Sequence, residues 1–85
     1  MTSLQSQFDA AAQAAMNLPS RPDNEMMLRL YAFFKQAKSG DVTGNRPGIF
    51  DMVGRAKYDA WAGLKGMPPE SAMQAYVDLV ASLNN

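Results

Sequence analysis

Residues 23 to 40 read DNEMMLRLYAFFKQAKSG. Asp23 is placed to cap a helix that runs to about Ser39, and Gly40 suits the position just past its end. At roughly 100° per residue from Met27, the residues Met26, Leu30, Phe33 and Ala37 fall between roughly 240° and 300°. That stripe ends in a small residue and predicts a buried face. Met27, Tyr31, Phe34 and Lys38 fall within roughly 40° of zero, and Leu28 and Lys35 flank them at roughly 100° and 80°. This second stripe is apolar at its start, basic at its end, and has a phenol between. Arg29, Ala32 and Gln36 take the remaining side, toward solvent. A helix with two separate non-polar stripes needs a partner for one and a use for the other.

Outward from this helix, the pattern stays helical. Leu4, Phe8, Ala11, Ala15 and Leu18 repeat at helical spacing over residues 4–18, and AAQAA (11–15) is rich in the best helix former. Ser3 or Ser6 can cap its start, and Pro19 ends it. Residues 40–52, GDVTGNRPGIFDM, show neither helical nor strand period and predict a long loop. A loop of this length in a small domain is uncommon and often functional. A third helix follows from about Val53 to Leu64, with Val53, Ala56, Ala60, Trp61 and Leu64 inward and Gly66 at its end. Pro68 and Pro69 suit the first turn of a fourth helix. It continues to about Leu83, with Met73, Tyr76, Val77, Val80 and Leu83 on one face. The expected fold is all-α: a four-helix bundle with a long loop between the second and third helices, in a single domain over residues 1–85.

Composition narrows the function. The chain has 85 residues, no cysteine and no histidine. No disulfide or thiolate metal site is available, and the commonest general base and metal ligand are missing. No carboxylates pair at helical spacing, and the serines have no obvious base. An enzyme is not expected, nor a catalytic or metal-binding residue. No signal peptide and no run of about 20 apolar residues appears, so a monomeric cytoplasmic protein without stable membrane insertion is expected. Net charge is zero but unevenly spread. Arg29, Lys35, Lys38, Arg46, Arg55 and Lys57 against Asp41 and Asp51 make the middle basic, at +4, and each flank is −2. That balance suits a compact anionic ligand, whereas a nucleic-acid binder is usually basic throughout. Methionine and leucine on the second stripe suit hydrocarbon, the aromatic ring a planar base, and lysine with phenol a phosphate. The alternative reading is a helical protein–protein docking module whose Met-rich groove receives a partner helix.

Two segments carry a family resemblance. YAFFKQAKSGD (31–41) and RPGIFDMVGRAKYDAWAGLKG (46–66) resemble the acyl-CoA-binding protein family. FDAAA (8–12), EMML (25–28) and SAMQAYV (71–77) extend the match to nearly the whole chain. The resemblance implies an up-down-down-up bundle that carries long-chain fatty acyl-CoA esters non-covalently and forms an intracellular pool of them, with no cofactor. It implies that adenine stacks on Phe34, and that Tyr31, Lys35 and Lys57 hold the 3′-phosphate. It places Met27 and Leu28 near the acyl chain, Ala12 beside the ligand on the first helix, and Tyr76 against the ligand from the last. The expected ligand-binding set is completed by Met16, Ala32 and Phe33. In this reading Pro47 and Gly48 set the geometry of the loop. The chain departs from the family at three positions. Phe34 stands where many members have tyrosine. Met16 and Val53 stand where many have basic residues, which implies weaker head-group binding.

Overall fold

The computed structural model describes residues 3–84, and its elements are α1 (Leu4–Ala15), α2 (Asn24–Ser39), α3 (Met52–Ala62) and α4 (Pro69–Leu83). No strand occurs among the described residues. The topology is the expected up-down-down-up bundle.

The helix ends follow local chemistry. Ser3 Oγ accepts from the Ser6 N–H at 3.1 Å and Asp23 Oδ1 from the Met26 N–H at 2.8 Å. Asp51 Oδ1 caps α3 through the Gly54 N–H at 3.0 Å. Each cap satisfies a donor that the first helical turn leaves without a partner. Gly40 closes α2 at φ 76°, a left-handed value that a side chain disfavours. Pro69 opens α4, with Pro68 at the N-cap.

Two helices are shorter than their periodicity predicts. α1 stops at Ala15 because Met16 and Asn17 bond back three residues, to Gln13 and Ala14, in a tightened last turn. Leu18 therefore leaves the helical face. α3 begins at Met52 and ends at Ala62, where Leu64 and Lys65 bond back three residues to Trp61 and Ala62. Gly66, at φ 93°, completes the turn toward α4.

Packing is unequal. The backbone of α2 lies against those of α4 and α3, whereas that of α1 lies against α4 alone. No Cα of α1 comes within 8 Å of a Cα of α2 or α3. Phe8, Ala11, Leu30, Ala37, Ala72, Tyr76 and Val80 form the core, with Phe33 and Phe34 packed against it. Phe8 of α1 stacks on Phe34 of α2 at 5.5 Å, and Tyr76 of α4 tilts against both at 5.2 and 5.8 Å. The Phe8–Phe34 stack joins α1 and α2, whose backbones stay apart.

Two expectations are overturned. Gln36 and Ala32 do not face solvent; Gln36 is 0% and Ala32 4% exposed. At Gln36 the loop after α2 and the turn before α4 cover that side. Gln36 Nε2 donates to Asp41 Oδ1 and to the Met67 carbonyl, both at 2.9 Å. Asp41 Oδ1 also accepts from the Gly66 N–H at 2.8 Å. One amide and one carboxylate thus tie the end of α2 to the α3–α4 turn. Val53, expected inward, is 67% exposed, because α3 packs on α2 through the side that carries Trp61.

The long loop is pinned rather than loose. The Arg46 guanidinium grips Asp59 in two bonds, of 2.8 and 2.7 Å. The Tyr58 hydroxyl donates to the Gly44 carbonyl at 3.0 Å, and Trp61 Nε1 donates to the Gly40 carbonyl at 2.8 Å. Three residues of α3 therefore hold the loop down. Gly48 does not set its shape: its φ is not positive, and a Cβ there would meet nothing within 4 Å. Gly44, at φ 82°, is the position where glycine matters.

Candidate functional site

Because α1 and α2 do not close on each other, a groove of about 1020 Å³ opens between them and the start of α3. α2 supplies Met27, Leu28, Leu30, Tyr31 and Phe34 to its wall. The α1 end and the connector supply Ala15, Met16, Leu18 and Arg21, and α3 supplies Met52, Val53, Ala56 and Lys57. Tyr76 reaches in from α4. Phe34 and Tyr76 belong to the aromatic trio, so the groove is floored by core rings. The helical spacing of α2 puts Met27, Tyr31 and Phe34 on one side, which is why one helix can line so much of the groove.

The groove is graded in chemistry. Most of its lining is methionine, leucine, alanine, valine and aromatic carbon. Its charged lining residues are Arg21 and Lys57, and no carboxylate lines it. Lys57 Nζ sits 5.4 Å from the centre of the Tyr31 ring, so α3 brings its ammonium to the phenol of α2. Burial pushes the Tyr76 phenol above its ordinary pKa.

Of the expected site residues, Met16, Met27, Leu28, Tyr31, Phe34, Lys57 and Tyr76 line this groove. Lys35, Ala12, Ala32 and Phe33 do not. Lys35 Nζ lies over the Trp61 ring at 4.8 Å, one turn along α2 from Tyr31. Ala12 and Phe33 pack against the core, and Ala32 is buried. Lys38 is exposed at the end of α2.

Sequence reasoning missed Arg21, Leu18, Met52 and Ala56. Arg21 sits between Pro19 and Pro22, in a connector that two prolines keep from continuing α1. A cation in so short and stiff a connector was the available signal. Leu18 was assigned to a helical face that ends three residues earlier. Among the described residues, no group of three or more acidic side chains could hold a metal ion.

The family model for acyl-CoA-binding protein matches residues 5–80. An acyl-CoA-binding protein homolog of Manduca sexta is 50% identical over 82 residues, which cover 95% of this chain and 91% of that protein. Enoyl-CoA delta isomerase 2 of Rattus norvegicus is 47% identical over 85 residues, but the chain spans 22% of that protein's length. The crystal structure of Oryza sativa acyl-CoA-binding protein 2 superposes with a TM-score of 0.91 at 43% identity, covering 95% of this chain and 90% of that one.

Proposed function

The chain belongs to the acyl-CoA-binding protein family, and from that premise we propose that its groove takes long-chain fatty acyl-CoA esters, which the protein carries unaltered. The observation that carries this reading is the lining of the groove: extensive apolar surface, two cations and no carboxylate. An acyl thioester of CoA has the matching parts, a hydrocarbon tail and a phosphorylated head. Each buried tail carbon contributes up to about 0.8 kcal/mol, less where the groove is open to water. A hydrogen bond to a charged phosphate adds about 1.5–3 kcal/mol.

In this reading Met27 and Leu28 border the tail, Met16 leaves a position near the head group uncharged, and Phe34 and Tyr76 offer ring surface to the adenine or the thioester end. Tyr31 and Lys57 hold the 3′-phosphate. Lys35 reaches it only by leaving the Trp61 ring, a swing open to its long side chain. Ala12, Ala32 and Phe33 shape the helices behind the groove rather than touch the ligand. Residues 1–85 act as one acyl-CoA-binding domain, monomeric and in the cytoplasm, that buffers an acyl-CoA pool. No catalytic residue is assigned, and no nucleic acid or cofactor is a partner. The docking module for a partner helix is not favoured. A peptide groove does not need a phenol and an ammonium brought together from two helices.

Calorimetry with palmitoyl-CoA, free CoA and palmitate tests the reading. Palmitoyl-CoA should bind far more tightly than either part alone. Equal affinity for palmitate and palmitoyl-CoA would remove the head-group assignment.

A further inference from the structure

We propose that the loop tip at Ile49, Phe50, Met52 and Val53 docks this protein on an anionic lipid bilayer, with the groove opening toward the membrane. The inference rests on the acyl-CoA reading of the groove. Phe50 is 100% exposed, and Ile49, Met52 and Val53 are 70%, 77% and 67% exposed. Large apolar side chains gathered in one exposed patch mark an interaction site.

The tip is held in place for display. The Arg46–Asp59 pair and the Tyr58–Gly44 bond fix the loop on α3. The Asp51 N–H donates to the Gly48 carbonyl at 3.0 Å, while its carboxylate caps α3. Phe50 is thus carried on a closed turn and keeps its whole surface in solvent. Such a projecting ring fits a fluid interface better than a flat protein face.

The patch is continuous with the ligand site, because Met52 and Val53 also line the groove. A hydrocarbon tail leaving a bilayer at this point would enter the groove past methionine and valine without crossing open water. The surrounding charge fits anionic headgroups. Both nearby carboxylates are engaged, Asp51 as a helix cap and Asp59 with Arg46. Arg55 and Lys57 stay without an ion pair among the described residues. Cations beside an apolar anchor are attracted to acidic lipid. No helix among the described residues is long and apolar enough to cross a membrane, so the contact is peripheral.

Vesicle co-sedimentation of the whole chain tests this, with phosphatidylcholine alone and with phosphatidylcholine mixed with phosphatidylglycerol. The mixed vesicles should bind the protein more strongly than the neutral ones. Phe50→Ser should lower that partition roughly tenfold and leave palmitoyl-CoA affinity in solution unchanged, since Phe50 does not line the groove. The proposal is overturned if the mixed vesicles bind no protein, or if Phe50→Ser binds them as well as the parent. It is also overturned if Phe50→Ser abolishes self-association in analytical ultracentrifugation while vesicles bind neither protein, which would give the patch to a second copy. A parent chain that binds mixed vesicles but not palmitoyl-CoA keeps the docking surface and removes the ligand reading.

Discussion

Lys57 Nζ on α3 lies 5.4 Å from the centre of the Tyr31 ring on α2. Neither residue makes this pair from its own helix. The pinned loop sets how α3 approaches α2, so the pair depends on Arg46, Tyr58 and Trp61 as much as on itself. Lys57 is exposed and has no ion pair among the described residues. Lys57→Ala should therefore weaken palmitoyl-CoA binding about ten- to a hundredfold, the worth of one charged hydrogen bond. The melting temperature should stay nearly the same. Calorimetry and a thermal melt measured together check it, and a large fall in melting temperature would make Lys57 part of the scaffold.

Phe34 serves two structures at once, the groove and the aromatic trio. Phe34→Ala should lower stability by about 2–4 kcal/mol as well as affinity. Phe34→Tyr keeps the ring and should change stability by less than about 1 kcal/mol. Urea unfolding of both variants separates the roles. If Phe34→Ala unfolds at the parent's midpoint, the stacking on Phe8 contributes nothing.

Gln36 is fully buried and bonds to Asp41 and Met67. Its Oε1 has no hydrogen-bond partner in the structure. An orphaned buried acceptor costs about 1–3 kcal/mol, which the two donated bonds and the packing must outweigh. Gln36→Ala should cost about 2–4 kcal/mol. Gln36→Glu should cost more at neutral pH, where two carboxylates would face each other, and recover as acid protonates them. Denaturant melts across pH would show the crossover, and a pH-independent penalty would rule out the repulsion.

Two carboxylates make stability sensitive to acid. The Gly66 N–H, then Gln36, holds Asp41 below its ordinary pKa, and the bonds from Arg46 hold Asp59 below its own. The unfolded chain therefore takes up these protons at higher pH than the folded one. Their contribution is complete above the ordinary aspartate value and is lost as pH falls through the lower folded values. Asp41→Asn should flatten the acid limb of the stability curve. An unchanged limb would place the acid sensitivity elsewhere.

Glycine inside a helix usually marks a stabilising substitution, because alanine is better there by about 1 kcal/mol. Gly54 should not follow that rule. A Cβ there would run into the Asp51 carboxylate that caps α3, and losing such a cap costs about 0.5–2 kcal/mol. Gly54→Ala should come out close to neutral. Measured after Asp51→Ala, the same change should recover its ordinary gain. A full gain with Asp51 in place would show that the cap yields without cost.

The residues that announced the fold were those whose signals are local. Asp23 and Gly40 bound α2 where expected, because caps and left-handed turns depend on a few neighbouring atoms. Tyr31 and Phe34 could be placed on one stripe because helical spacing carries three-dimensional information, whereas Lys57 was reached only through the family resemblance. Gln36 misled for the opposite reason. A polar residue on a helical wheel reads as solvent-facing until a distant turn, at Met67, covers it. Much of the stretch KQAKSGD is architecture rather than ligand site: Gln36, Gly40 and Asp41 bind backbone and each other. Lys35 was legible as basic and near Tyr31, but its preference for the Trp61 ring depends on the depth at which α3 packs. Arg21 went unread because no period governs a connector.

The unequal packing of the helices also sets an order of assembly. The backbone of α1 packs on that of α4 alone, and α4 is the last of the four helices in chain order. A helix of 12 residues is marginal in water by itself, so α1 must wait for α4. Phe8 stays without Tyr76 until then, and the groove has no far wall. The nascent chain can pair α2 with α3 and still hold no ligand. Binding competence therefore arrives only once α4 has been made, and chains that lack it cannot hold an acyl-CoA ligand.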